Sequence, residues 1–205
     1  MTSMTADEAQ LTIRAAVAAG FTDLKLTGEL SKTGIGGNWG TFINNKKITK
    51  CDLTGVTDWG TTPTLPELAF ANCTALQEVT LPDDMKVIGT GAFSGCAALT
   101  TVNLSQVTWI NLNAFWGCTS LETLALDNVT AIGQEAFYGC TGLETLKIPK
   151  CTRFGNYIVT GCKALTRIET IAAGDFVHIS DGSSIERTAV FHNSCLLYTS
   201  PSPRD

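Results

Sequence analysis

The chain has 205 residues, is 44% hydrophobic and 16% charged, and carries a formal net charge of −5. A mildly acidic chain whose basic runs do not exceed Lys46-Lys47 offers little to a phosphate backbone or an anionic lipid surface, which excludes nucleic acid as an expected partner. No apolar run approaches the roughly eighteen residues of a membrane-spanning helix, so direct membrane insertion is not expected either.

At the N-terminus, Thr5-Ala-Asp-Glu8 has the form of a capping box and opens an alanine-rich stretch that closes at Gly20. Leu11, Ala15 and Ala18 fall on one stripe, which predicts a capping helix, and a strand is expected near Leu24 to Leu30. Gly34 to Gly40 reads as a loop, because it lacks both the Gly-Lys-Ser/Thr ending of a P-loop and the G-x-G-x-x-G spacing. Residues 1–41 are thus read as a cap. The residues after Met1 do not have the form of a secretory leader.

From Phe42 onward the chain repeats. Ala69-Phe70-Ala-Asn-Cys73, Ala92-Phe93-Ser-Gly-Cys96, Ala114-Phe115-Trp-Gly-Cys118 and Ala136-Phe137-Tyr-Gly-Cys140 recur with cysteine steps of 23, 22 and 22 residues, and a further 22 reaches Cys162. A period in the twenties is the signature of a solenoid, whose units bury their apolar faces only by stacking on one another. After each cysteine stands L-x-x-L-x-L, as in Leu76, Val79 and Leu81 or Leu121, Leu124 and Leu126. Its last two apolar positions share one face of a short strand. Strands one repeat apart must then pair in parallel. Val107/Ile110, Val129/Ile132 and Cys151/Phe154 fill a later slot, three residues apart, and predict a helical or irregular return segment. Phe42, Asn45, Ile48, Cys51 and Leu53 form a degenerate first unit with Asn45 in the cysteine slot, and Gly60 to Pro66 reads as an insertion.

Toward the C-terminus, Val190-Phe191-His-Asn-Ser194 resembles the Ala-Phe-x-x-Cys element but lies 32 residues beyond Cys162, which places an extra loop in Ala172 to Ser184. Residues 42–194 are read as the solenoid. The last eleven residues, Cys195 to Asp205, match a translated transposase-end adapter of the kind used in sequencing libraries. Residues 195–205 are therefore read as a foreign tail, with the natural chain cut near Ser194.

Of the eight cysteines, five share one repeat slot and form a ladder down the stack, rather than converging in the C-x-x-C pairs of a zinc site. Parallel side chains on neighbouring rungs also point the wrong way for disulfides. They are expected to be buried, reduced thiols acting as small core residues, without metal or cofactor. The two histidines, His178 and His192, belong to no catalytic constellation, and Asp83-Asp84 is a turn after Pro82. Asn72-Cys-Thr74, Asn103-Leu-Ser105 and Asn128-Val-Thr130 match the glycosylation acceptor pattern inside repeat slots, and no function is read into them. An enzyme is not expected.

The unit L-x-x-V-x-L-P…I-G-x-x-A-F-x-x-C, seen in Leu76 to Cys96 and Leu121 to Cys140, resembles the leucine-rich repeat of the Bacteroides surface protein A-like (Treponema-type) family over about Phe42 to Leu165. The resemblance implies an α/β leucine-rich repeat solenoid with short parallel strands, 22–23-residue repeats and an N-terminal capping helix. It further implies a bacterial surface or secreted protein that adheres to host matrix proteins or to bacterial surface proteins. A structural spacer within a larger protein is the alternative. A monomer is expected.

Two surfaces are candidates for partner contact. On the strand face, the residues between buried leucines form ladders through Glu78, Thr101, Thr123, Thr145 and Arg167, and through Asn103 and Lys147. These ladders are the expected recognition surface, as the broadest regular face of a solenoid. On the return side, Trp116 and Tyr138 follow the buried phenylalanines in adjacent coils and, with Trp109, form a rival aromatic patch.

Overall fold

The computed structural model describes residues 13, 15–29, 42–57, 59–170 and 178–179, and the account below concerns these. In chain order the strands are β1 (Asp23–Glu29), β2 (Lys50–Thr57), β3 (Thr64–Leu65), β4 (Glu78–Thr80), β5 (Val87–Ile88), β6 (Thr101–Val102) and β7 (Trp109–Ile110). There follow β8 (Thr123–Ala125), β9 (Ala131–Ile132), β10 (Thr145–Ile148), β11 (Arg153–Phe154), β12 (Arg167–Thr170) and β13 (His178–Ile179).

Every pairing is parallel and links one coil to the next, as the fixed slots require. Leu146 stands opposite Leu124 and Ile168, and Ile110 opposite Ile88 and Ile132. The chain thus winds as a β-solenoid of five complete coils. Each coil holds a strand of the first face, a second short strand, and the turn that carries Ala-Phe-x-x-Cys. The second strands form one continuous sheet in the order β13-β11-β9-β7-β5-β3. This corrects the expected helical or irregular return segment. Val107 donates its amide to Leu104 O in a turn, and Ile110 is the buried residue of β7, so the three-residue spacing spans a turn and a two-residue strand rather than a helical step.

The first face is divided into two sheets, β1-β2-β4-β6 and β8-β10-β12. Strand β6 stops at Val102, and the next residue, Asn103, turns its side chain onto the preceding coil.

Between the faces lies an apolar interior built from the repeat slots. Phe70, Phe93, Phe115 and Phe137 are fully buried and form a column with ring centroids 5.5, 5.1 and 5.4 Å apart; Phe42 adds a tilted ring at 5.0 Å from Phe70. The alanine before each phenylalanine is also fully buried, because the coils approach closely there. In each of the four turns from Leu68 to Gly139 three amides reach the following coil, as where Asn113, Phe115 and Gly117 donate to the carbonyls of Gln134, Ala136 and Tyr138. Such regular bonding requires left-handed backbone before each cysteine, and glycine supplies it at Gly95, Gly117, Gly139 and Gly161, with Asn72 in the first coil.

At the N-terminal end, residues 13 and 15–18 are helical. Ile13 and Val17 are buried and Ala16 packs on the core, whereas Ala15 and Ala18 are exposed. The expected stripe is therefore corrected: the larger aliphatic pair, four residues apart, gains more from burial than the alanines do. The strand expected near Leu24 is β1, which pairs in parallel with β2 and extends the first face. The capping box, Leu11, Leu30, the glycine-rich loop, the 172–184 loop apart from β13, the Val190 to Ser194 unit and the 195–205 tail lie outside the described residues.

Candidate functional site

The strand face presents the ladders, with two ion pairs at its N-terminal side. Lys50 Nζ lies 2.9 Å from Glu78 Oε2, and Lys25 Nζ lies 3.0 Å from Asp52 Oδ2. The hydroxyl and amide of Thr54, and then Lys25, lower the Asp52 carboxyl to about 2, and the bond to Glu78 raises Lys50. Glu78 is thus already engaged with its neighbour in β2. Thr101 and Thr123 are exposed, and Thr145 and Lys147 are half-buried. Thr145 stands between Thr123 and Arg167 in register, but β6 and β8 belong to separate sheets, so the ladder is interrupted between Thr101 and Thr123.

Asn103 differs from the expected open rung. Its Oδ1 accepts the Leu81 amide at 2.6 Å and its Nδ2 donates to the Leu81 carbonyl at 2.9 Å, so the side chain replaces a main-chain link between coils. The half-buried amide is committed to the fold.

The opposite margin of the solenoid is the row of turns 66–72, 89–95, 111–117, 133–139 and 155–161. Here the rings of Trp116 and Tyr138 stack across adjacent coils, 6.1 Å between centroids and 6° from parallel, yet remain 42% and 37% exposed. Leu68, Leu112 and Tyr157 are exposed on the same row, and Trp109, 49% exposed, stands on β7 just ahead of it. Leu68, Leu112 and Tyr157 were not picked out from the sequence. The signal for Leu68 and Tyr157 was the variability of one slot: Leu68, Gly91, Asn113, Glu135 and Tyr157 occupy it, all with left-handed backbone, and Leu112 stands one residue ahead of it. Among described large hydrophobics, this row and Trp109 hold all the exposed ones apart from Phe21.

The cysteines lie inside. Cys73, Cys96, Cys118, Cys140 and Cys162 are fully buried free thiols, each donating to the carbonyl of a phenylalanine in the preceding coil. Burial raises Cys96, Cys118 and Cys51 far above the ordinary thiol range and pushes Cys73 and Cys151 up to about 12. Contact with the Cys162 thiol, followed by burial, raises Cys140 as well. Thiols held protonated in this way are poor nucleophiles and poor metal ligands. Among the described residues no group of three or more His, Cys, Asp or Glu side chains is placed to hold a metal ion, and no helix is long and apolar enough to cross a membrane.

A stacked column of buried Ala-Phe-x-x-Cys turns, repeated with parallel strands on two faces, is the arrangement that decides the family. The family model for the BspA type leucine rich repeat region matches residues 41–166 in six copies, more than half of the chain. The chain belongs to this family. The BspA-type repeat is similar to the solved leucine-rich repeat protein of Treponema pallidum, with a TM-score of 0.53 and 22% identity over 62% of this chain and 70% of that one, a likeness of fold. It is also similar to a leucine-rich cell surface protein of Faecalibacterium prausnitzii (TM-score 0.46, 27% identity, 66% of this chain and 44% of that one). A Bacteroides ovatus leucine-rich repeat protein gives a TM-score of 0.45 and 27% identity over 60% of this chain and 38% of that one. The BspA-type chain thus spans less than half the length of the last two. No curated protein matches it.

Proposed function

We propose that this BspA-type chain is a protein-binding adhesion module of a bacterial surface or secreted protein, without catalysis, and that it makes contact through the turn row centred on Trp116 and Tyr138. The exposed stacked pair carries the reading. Two large aromatics left in water, with Leu112 and Trp109 nearby, form the kind of apolar patch that a partner protein covers, and Trp and Tyr dominate binding energy at such patches. The strand face is the weaker candidate, because Glu78 and Asp52 are paired within it and Asn103 is turned inward. The surface location and the partner class, a host matrix or bacterial surface protein, follow from the family resemblance.

The test measures attachment of the purified chain to immobilised host matrix proteins and to bacterial cells. Trp116→Ala with Tyr138→Ala should weaken attachment by on the order of tenfold or more, each anchor contributing about 1–2 kcal/mol, with a nearly unchanged melting temperature. Replacing Thr123, Thr145 and Lys147 together by Glu should leave attachment unchanged. If only the triple variant loses binding, the strand face is the site. A chain that binds neither surface is a spacer.

A further inference from the structure

The five turn segments contain no lysine or arginine, and their charged residues are Glu67 and Glu135. The basic residues nearest in sequence, Lys86, Arg153 and Lys163, lie before or after the turns. An exposed aromatic pair on a row that bears only negative charge is complementary to a cation with a flat apolar face. We infer that the turn row recognises an arginine in an extended, basic segment of its partner protein; this rests on the turn row being the contact surface.

Three residues on two adjacent coils build the site, Trp116, Tyr138 and Glu135. The Trp116 amide donates to Asn113 O at 3.0 Å and the Tyr138 amide to Glu135 O at 3.0 Å, so each aromatic closes a turn opened by a polar residue. The Asn113 amide in turn donates to Gln134 O at 3.0 Å, and this fixes Asn113 beside the segment that carries Glu135. Glu135 thus opens the same turn that Tyr138 closes, on the coil next to that of Trp116. Gln134 Nε2 donates to Glu135 Oε1 at 3.1 Å and steadies that carboxylate while leaving its other oxygen to accept. Guanidinium meets both demands at once: its flat face stacks on Trp or Tyr and its fork of donors pairs with a carboxylate. Ammonium pairs with a carboxylate and lies over a ring as a point charge, without the flat face or the fork.

Titration calorimetry of the full chain at low salt, with capped Gly-Arg-Gly-Arg-Gly, its Lys and Glu counterparts and Gly-Ser-Gly-Ser-Gly, tests this. The Arg peptide should bind, the Lys peptide several-fold more weakly, and the Glu and Ser peptides not measurably. Glu135→Gln should weaken the Arg peptide by about tenfold without moving the melting temperature. Asp83→Asn with Asp84→Asn, removing exposed carboxylates elsewhere, should change nothing. Equal binding of the Arg, Ser and Glu peptides, an indifferent Glu135→Gln, or an equal loss in the Asp83/Asp84 variant overturns the inference. Should Trp116→Ala/Tyr138→Ala abolish attachment to matrix or cells while Glu135→Gln preserves it, the arginine site fails and the contact surface stands.

Discussion

The Cys118 thiol donates to the carbonyl oxygen of Phe93 in the preceding coil at 3.1 Å, and the same carbonyl accepts the amide of Cys96 from its own coil at 3.1 Å. Both lone pairs of a fully buried carbonyl are thereby used, one within the coil and one between coils. The relationship recurs at Cys73, Cys96, Cys140 and Cys162. It explains why the slot takes cysteine rather than valine: the side chain must be small, tolerant of full burial, and still able to donate.

Native-state labelling follows from this burial. All five ladder cysteines should react slowly with a thiol reagent in the folded chain and rapidly after denaturation. Rapid modification of Cys96 or Cys118 by mass mapping, with folding intact, would refute the buried ladder.

Alkaline pH should unfold the chain over a narrow range. Folded-state values of the six raised thiols, Cys51, Cys73, Cys96, Cys118, Cys140 and Cys151, lie above the unfolded value of about 8.5, so above that pH the unfolded chain binds fewer protons. Their contribution is complete below about pH 8.5 and is lost as pH rises toward the folded values, at about 1.4 kcal/mol per unit for each thiol. Six together approach about 8 kcal/mol per unit, comparable to the whole stability of a domain. Circular dichroism in the presence of reductant should show cooperative unfolding between about pH 9 and pH 10.5. A folded chain at pH 11 would contradict it.

Phe115 sits between Phe93 and Phe137 with both faces covered. Phe115→Ala should cost about 3–5 kcal/mol, because the close-packed alanines on either side prevent the coils from collapsing into the void. Denaturant unfolding measures it, and a midpoint within error of the parent would remove the column from the list of stabilising features.

The coil and its interior were legible in the sequence because a stacked fold repeats its environment: Phe70, Phe93, Phe115 and Phe137 occupy one slot and meet one another. What was not legible lies where a local signal is too short or tertiary contact chooses. Trp109-Ile110 is a strand of two residues, below the length at which alternation shows. Ile13 and Val17 outcompeted the alanine stripe only once β1 and the core stood beneath them. Trp116 and Tyr138 were visible as adjacent aromatics, but their parallel stacking with both rings exposed depends on the inter-coil geometry. Leu68 and Tyr157 join them through left-handed backbone, which no residue type at those positions announces.

Asn103 separates structural from recognition roles on the strand face. Both ends of its amide are bonded to Leu81 across the coils, where β6 gives out and the first face divides. Asn103→Ala would strip the Leu81 amide and carbonyl of their partners in a half-buried site, at a cost of about 1–3 kcal/mol, whereas an exposed rung such as Thr123→Ala should shift stability by no more than about 0.5 kcal/mol. Asn103→Asp keeps the acceptor for the Leu81 amide, loses the donor to its carbonyl and sets negative charge against that oxygen, so it should be no more stable than the alanine variant. Thermal melts of the three variants, with attachment measured per folded molecule, check the assignment. Weakened attachment by Asn103→Ala at an unchanged melting temperature would return this residue to the contact surface.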